Sequence, residues 1–288
     1  MKIAIIIDSA VGLTKQQCEK KGWYFLPLFF SIDNKEYADG IDEKTKDLYQ
    51  ILKPDSDVNT SCTPVGEAVK LVESIYDKYD KIVIYPISEK LSSQYNNLLS
   101  TLSSYKKVRV VKSKKLTLLT ALDLLNFEKN IANNMKFDKA VDILEDDLNL
   151  KFLLIPKFND ALVRGGRLTP AAATVAKLLK IVPIIKLENG ELKKEGVGRL
   201  FRKSITKYFK ELHTQYPEHI PFVIHSNNKE IEEIKLEMQA ISGQEINIFN
   251  IPNVIGIHTG IEAIAFTKLP IDSERIQELY DLFEIKRS

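Results

Sequence analysis

Three short runs of β-branched and other apolar residues, without alternating polar positions, constrain the fold of this chain more than any other feature. They occupy residues 3–7, 81–85 and 108–111, and polar residues follow each run. Strands buried on both faces of a parallel sheet have this composition, because helices cover both faces. Apolar residues at helical spacing predict helices at 68–76, 95–102 and 115–130. We therefore predict a βαβ-type arrangement for the first half of the chain.

The second half has a different pattern, which predicts a mixed sheet with helices. Residues 181–187 and 191–197 predict two strands joined through Glu188-Asn189-Gly190, a sequence typical of a hairpin turn. Further strands are predicted at 222–225 and 246–248, on either side of a helix. The apolar stripe of that helix is formed by Ile231, Ile234, Met238 and Ile241.

A length of 288 residues favours two domains, because single hydrophobic cores stop growing near this size. No linker rich in Pro, Gly or Ser separates the two patterns, so we place the boundary where the pattern changes. This predicts an α/β fold with an N-terminal parallel-sheet domain at 1–149 and a C-terminal mixed α/β domain at 150–288.

Composition narrows the classes of function. The 41 Lys and Arg residues against 39 Asp and Glu leave a net charge of +2, which argues against nucleic-acid binding. The two cysteines, Cys18 and Cys62, form neither a CxxC motif nor a zinc-type spacing with histidine, so we expect no metal and a reducing cytoplasm. The apolar run at 3–7 is too short for a signal peptide, and the Leu-rich stretch at 116–125 is too short to span a membrane.

Asp8-Ser9 directly follows the first predicted strand, where a carboxylate can act as a nucleophile. A companion acid two residues later is absent, because position 10 is Ala10. We favour the alternative that Asp8 caps a neighbouring loop backbone.

Two turns rich in hydroxyl groups follow. Thr60-Ser61-Cys62-Thr63-Pro64 precedes a helix that is predicted to start near Gly66, and Leu91-Ser92-Ser93-Gln94 follows the predicted strand at 81–85. Hydroxyl and backbone N–H groups at a helix N-terminus can bind an anion or can simply cap the helix, and the sequence leaves both interpretations open. Two such turns in one domain point to a crevice at the carboxyl ends of the strands.

Two glycine-containing motifs lie in the second half. Arg164-Gly165-Gly166-Arg167 places two cations around a flexible pair, and His258 lies between Gly256 and Gly260, which allow close backbone approach. We interpret the other three histidines, His213, His219 and His225, as structural.

These segments together resemble the DegV family over nearly the whole chain. The matching motifs, in order, are Asp8-Ser9, Pro27-Leu28, Tyr37-Ala38-Asp39-Gly40, Thr60-Ser61 with Gly66-Glu67, Leu91-Ser92, Gly165-Gly166-Arg167-Leu168 and Gly256-Ile257-His258-Thr259-Gly260. The resemblance implies a two-domain α/β fold with a ligand tunnel between the domains. It also implies a carrier that holds one long-chain fatty acid and presents it to a partner fatty-acid kinase, without cofactor and without stable membrane insertion.

The resemblance further implies that hydroxyls and a histidine hold the carboxylate of the acid. The residues at the matching positions are Thr60, Ser61, Ser92, Arg167, His258 and Thr259. This chain departs from the family in having Cys62-Thr63-Pro64 after Thr60-Ser61, where Gln-Pro-Ser is common. It also has Ser93 where a glycine is common, which affects how the turn presents its N–H groups.

Two other classes of function remain as alternatives. A serine-type acyl hydrolase would use Ser92 as nucleophile, His258 as base and Asp8 as orienting acid, although a GxSxG motif is absent. A nucleotide-binding regulator ranks last, because the chain has neither a P-loop nor a GxGxxG motif.

The last predicted feature is the cationic cluster of Arg199, Arg202 and Lys203 at the start of a helix. Cations at a helix N-terminus oppose the helix dipole, so helix stability does not explain them. The cluster is either a solvated helix face or a docking surface for an acidic partner such as the kinase.

Overall fold

The computed structural model describes residues 1–42, 48–52, 56–147, 149–178 and 180–286. It divides into two compact units. The first comprises Met1–Asp147 with Pro252–Val254 and Leu279–Ser288, and the second comprises Leu148–Ile251 and Ile255–Glu278. No sequence signal identified the two late segments as part of the first unit.

A four-stranded parallel sheet forms the centre of the first unit, as the unbroken apolar runs predict. The strands of this unit are β1 (Ile3–Asp8), β2 (Tyr24–Leu26), β3 (Phe29–Ile32), β4 (Lys35–Ala38), β5 (Val58–Ser61), β6 (Lys81–Tyr85) and β7 (Val108–Val110). The order in the parallel sheet is β2-β1-β6-β7, with β1 paired to both β2 and β6.

A second, three-stranded antiparallel sheet in this unit was not predicted. Its order is β4-β3-β5, and Phe30 of β3 pairs with Thr60 of β5. The strand β5 reads Val-Asn-Thr-Ser, which lacks the apolar alternation of a recognisable strand. Tertiary pairing with β3 places Thr60 and Ser61 at the end of a strand.

Six α-helices are described in the first unit. They are α1 (Lys15–Lys21), α2 (Leu48–Ile51), α3 (Val65–Ile75), α4 (Gln94–Thr101), α5 (Leu118–Ala132) and α6 (Phe137–Glu145). Helices α3 and α4 bury Val72 and Leu98 against Ile82 and Ile84 of β6. Helix α5 begins at Leu118 rather than at 115, because Thr117 has a φ of 56°.

The second unit contains a six-stranded mixed sheet with the order β10-β9-β8-β13-β11-β12. Its strands are β8 (Phe152–Ile155), β9 (Val182–Glu188), β10 (Glu191–Gly198), β11 (Ile220–His225), β12 (Asn247–Asn250) and β13 (Ile264–Leu269). The pair β11 and β12 is parallel and the other neighbours are antiparallel. The hairpin prediction is confirmed: Asn189 and Gly190 both have positive φ, as a type I′ turn requires.

Six α-helices are described in the second half of the chain. They are α7 (Asp160–Gly165), α8 (Pro170–Ala176), α9 (Phe201–Gln215), α10 (Ile231–Ser242), α11 (Asn253–Thr259) and α12 (Ser273–Phe283). In α10 the predicted stripe faces the core, where Ile234 and Met238 are fully buried. Among the helices of the described residues, none has the length and apolar character needed to cross a membrane.

Candidate functional site

The two hydroxyl-rich turns of the first unit are bonded to each other. Thr63 donates its backbone N–H to Gln94 Oε1 at 3.1 Å, and Gln94 Nε2 donates to Thr63 Oγ1 at 2.7 Å. Thr63 Oγ1 in turn donates to the carbonyl of Pro27 at 2.7 Å. Both side chains are buried, so the network is shielded from water. Thr63, which lies in one of the segments where the chain departs from the family pattern, therefore helps to hold the two turns together.

Ser92 lies at this junction and is half-buried. Its Oγ accepts the N–H of Gln94 at 3.2 Å and lies 3.5 Å from Cys62 Sγ. Thr60 is half-exposed at the end of β5, and Ser61 beside it is exposed. The first unit thus brings the Cys62 thiol and the Ser92 hydroxyl together on neighbouring turns.

Asp8 and Asp39 are two buried carboxyl groups of the first unit. Asp8 accepts the N–H of Ala10 at 3.1 Å and that of Ile87 at 2.7 Å, which is the capping role that the sequence favoured. Burial raises the pKa of Asp8 to about 7 and that of Asp39 to about 6. Asp39 Oδ1 accepts a hydrogen bond from Asn253 Nδ2 at 3.0 Å.

The second unit brings His258, Arg167 and Gly165 together. His258 lies in the last turn of α11, and its Nδ1 would be 3.0 Å from a Cβ atom placed on Gly165 at the end of α7. Arg167 donates from a terminal guanidinium nitrogen to the Gly165 carbonyl at 2.6 Å. Burial, and then the charge of Arg167, lower the pKa of His258 to about 4. The imidazole is therefore neutral at pH 7.

Thr259 follows His258 and is buried. Within the part of the chain that the structure describes, its Oγ1 has no hydrogen-bond partner. A buried hydroxyl without a partner is uncommon, because its desolvation costs about 1–3 kcal/mol. Thr259 is thus a hydroxyl that a polar ligand group could satisfy.

The cationic cluster lies where β10 leads into α9. Arg199 precedes the helix and is exposed between two exposed apolar residues, Val197 and Leu200. Arg202 forms ion pairs with Glu237 and with Glu230, the latter at 3.7 Å. Arg202 is therefore engaged with acidic residues of its own unit.

A groove of about 500 Å³ lies elsewhere on the first unit. Its lining includes Trp23, Tyr24, Ile41, Leu71 and Tyr79. None of the sequence-predicted site residues lines it. Among the described residues, no three His, Cys, Asp or Glu side chains are grouped as a metal site.

Comparison with known proteins identifies the relatives of this chain. A family model described as "Uncharacterised protein, DegV family" matches residues 2–270. A DegV domain-containing protein of Mycoplasmopsis pulmonis (strain UAB CTIP) is 46% identical over 288 residues, covering 98% of this chain and 100% of the relative.

Solved structures share the fold. A fatty acid binding DegV family protein of Streptococcus agalactiae matches with a TM-score of 0.82 at 21% identity, covering 94% of this chain and all of the other. A stearic acid-binding protein of Eubacterium ventriosum ATCC 27560 matches with a TM-score of 0.79 at 24% identity, covering 92% and 97%. With a family model and a full-length relative in agreement, the chain belongs to the DegV family.

Proposed function

We propose that this protein binds one long-chain fatty acid non-covalently and is a carrier rather than a catalyst. The observation that carries the proposal is the match to DegV structures whose described ligands are fatty acids, stearic acid among them. Membership of the family over residues 2–270 extends that likeness to nearly the whole chain.

The acyl tail supplies most of the affinity in this proposal. Each buried methylene contributes about 0.8 kcal/mol, so a long chain gains on the order of 10 kcal/mol before entropy losses. The carboxylate opposes binding, because a buried ionised group is costly unless it is hydrogen-bonded. The site must therefore provide donors for the carboxylate.

Thr60, Ser92, His258 and Thr259 are the proposed donors. The buried Thr259 hydroxyl without a partner supports this role, as does the neutral imidazole of His258, which can donate one N–H. Arg167 supplies the positive charge near His258 and orients the network. Ser61, exposed beside Thr60, flanks the site.

A partner fatty-acid kinase would phosphorylate the bound acid to an acyl-phosphate, with this protein presenting the substrate. Arg199 and Lys203 are exposed and suit an acidic partner surface, whereas Arg202 would have to exchange its present ion pairs. Charge reversal by Arg199→Glu should slow acyl-phosphate formation by a cognate kinase and leave fatty-acid affinity unchanged. An unchanged rate would refute the docking role.

The hydrolase alternative is not favoured by the geometry of Asp8. Its two oxygens accept backbone N–H groups, which is the geometry of a loop cap and not that of an acid orienting a histidine. Saturable hydrolysis of acyl esters that disappears in Ser92→Ala would establish the hydrolase and overturn the carrier proposal.

Mass spectrometry of lipid extracted from the purified protein tests the proposal directly. We expect about one equivalent of a long-chain fatty acid, and a rise in melting temperature when fatty acid is added.

The single variants Thr60→Ala, Ser92→Ala and His258→Ala should each weaken binding roughly tenfold to a hundredfold, through loss of about 1.5–3 kcal/mol. Ser93→Ala, which removes an exposed hydroxyl from the same turn, is the matched control. Absence of extractable lipid together with an unchanged melting temperature would contradict the proposal.

Cys62 provides a second test without mutation. The other cysteine, Cys18, is fully buried, and burial raises the pKa of its thiol to about 12, so it should not react. Cys62 is half-buried with its Sγ 3.5 Å from Ser92 Oγ. Bound fatty acid should therefore slow alkylation of Cys62 by iodoacetamide. Equal rates with and without fatty acid would remove Ser92 from the proposed site.

A further inference from the structure

We propose that Gly165 is a positioning residue. It holds both the His258 imidazole and the Arg167 guanidinium in the positions that suit the ligand carboxylate. Its missing side chain admits the imidazole against the end of α7, and its carbonyl accepts the hydrogen bond from Arg167. The proposal rests on the proposed fatty-acid function and deepens it. All three residues belong to the second unit.

The two adjacent glycines of this motif are required for different reasons. Gly166 has a φ of 65°, in the left-handed region, but the space around it is open, with only the Arg164 carbonyl at 4.0 Å. Gly165 lacks that constraint and lies within α7, where alanine would favour the helix more than glycine does. Contact with His258, and not backbone conformation, therefore explains why position 165 is a glycine.

The contact cannot be relieved by turning the imidazole ring. A Cβ on Gly165 would be 3.0 Å from His258 Nδ1 and also 3.2 Å from His258 Cβ. The Cβ atom is fixed by the backbone of α11, so rotation about the side-chain bonds leaves it in place. A methyl group at position 165 therefore requires α7 or α11 to shift by a few tenths of an ångström.

The end of α11 is itself held tightly. Gly260 follows the helix with a φ of 88°, and a Cβ there would be 3.2 Å from Ala161 Cβ on α7. The Gly260 carbonyl accepts a hydrogen bond from Ser226 Oγ at 2.6 Å. The two helices are thus in close contact at Gly165 and at Gly260, so a shift at one contact disturbs the other. Moving the Gly165 carbonyl also moves the acceptor that holds Arg167.

A double-mutant cycle tests the proposal. Binding of cis-parinaric acid, a fluorescent long-chain fatty acid, is titrated in the wild type, Gly165→Ala, His258→Gly and the double variant. We expect Gly165→Ala to weaken binding tenfold or more in the wild-type background and less than twofold once the imidazole and the Cβ atom of residue 258 are both gone. Equal weakening in both backgrounds would overturn the proposal. Gly66→Ala, at a helical glycine with open space, is the matched control.

The imidazole resonances of His258 in NMR spectra separate this proposal from the proposed function. If His258→Ala binds fatty acid with full affinity, the role of His258 at the carboxylate is wrong. A displaced His258 resonance in Gly165→Ala would still support positioning, and an unmoved resonance would refute it. If Gly165→Ala does not fold, the double variant with His258→Gly should fold, because both the ring and the Cβ atom that meet the new methyl group are absent. Failure of both variants to fold would refute the proposal.

Discussion

Burial shifts the pKa values of two carboxyl groups in the first unit and of two histidines in the second unit, in opposite directions. Asp8 and Asp39 in the first unit have their pKa values raised to about 7 and about 6. In the second unit the pKa values of His225 and His258 are lowered to about 4. Burial is the largest cause in all four cases, because desolvation disfavours the charged form. These two carboxyl groups and these two histidines therefore contribute to the pH dependence of stability with opposite sign.

Two buried lysines differ in whether a carboxylate contacts the ammonium group. Lys115 in the first unit places its Nζ 2.6 Å from Asp123 Oδ2, to which the Tyr85 hydroxyl also donates. Lys268 in the second unit contacts His213 Nδ1 at 2.8 Å, and its other acceptors are the uncharged Pro217 carbonyl and Gln244 Oε1. Without a carboxylate in contact, burial lowers the pKa of Lys268 to about 8.

The comparison matters for the proposed function. In the proposed function the hydroxyls of Thr60 and Ser92 donate to the ligand carboxylate, and the imidazole of His258 is neutral at pH 7. Arg167 then carries the positive charge among the proposed carboxylate ligands. A site of this kind binds an anion mainly through hydrogen bonds that are already in position, and less through net charge.

Among the variants that test this difference between the units, removal of Asp123, the partner of Lys115, should change stability the most. Asp123→Ala leaves a buried, unpaired ammonium group, so we expect a loss of about 3–5 kcal/mol in the free energy of unfolding of the first unit. The single tryptophan, Trp23, is buried in that unit, so its fluorescence during urea unfolding reports the loss. Glu19→Ala, which breaks the exposed Lys15–Glu19 pair, should cost less than about 1 kcal/mol. Similar losses in both variants would contradict the prediction.

The pH dependence of the first unit should depend on Asp8. The folded pKa of about 7 lies above the unfolded value of 3.8, so the folded state binds this proton more tightly. The resulting stability is fully present below pH 3.8 and is lost as the pH rises through 7. Asp8→Asn should therefore reduce the fall in unfolding free energy between pH 4 and pH 7, on a scale of about 1.4 kcal/mol per pKa unit. The same slope in Asp8→Asn and in the exposed control Asp77→Asn would rule out this role.

Lys268 should contribute a smaller pH dependence of stability in the second unit, and with the opposite sign to that of Asp8. Its folded pKa of about 8 lies below the ordinary value of 10.5, so the unfolded state binds more protons between these values. The stability of the second unit should therefore rise from pH 8 to pH 10.5. Lys268→Met should flatten that rise, as measured by hydrogen exchange of second-unit amides. The exposed control Lys210→Met should keep the rise, and a rise retained in Lys268→Met would contradict the prediction.

Local patterns were sufficient to predict the regular elements that bury apolar residues. The runs at 3–7 and 81–85 became β1 and β6, and the stripe on α10 faces the core. Each pattern lies within one element, so neighbouring residues along the chain carry the whole signal. The strand β5 was not predicted, because it is stabilised by pairing with β3, whose residues lie about thirty positions earlier in the chain.

For the candidate site too, some features follow from the sequence and others from the tertiary structure. The sequence by itself determined which hydroxyl, imidazole and guanidinium groups the chain can offer, and where turns present them. Only the tertiary structure decided that Thr63 bonds to Gln94 across 31 positions, and that Gly165 meets His258. It also decided which acids and bases are buried, and hence their pKa values. The physical reason is that desolvation and hydrogen bonding act between residues that are close in space, whereas sequence patterns record only residues that are close along the chain.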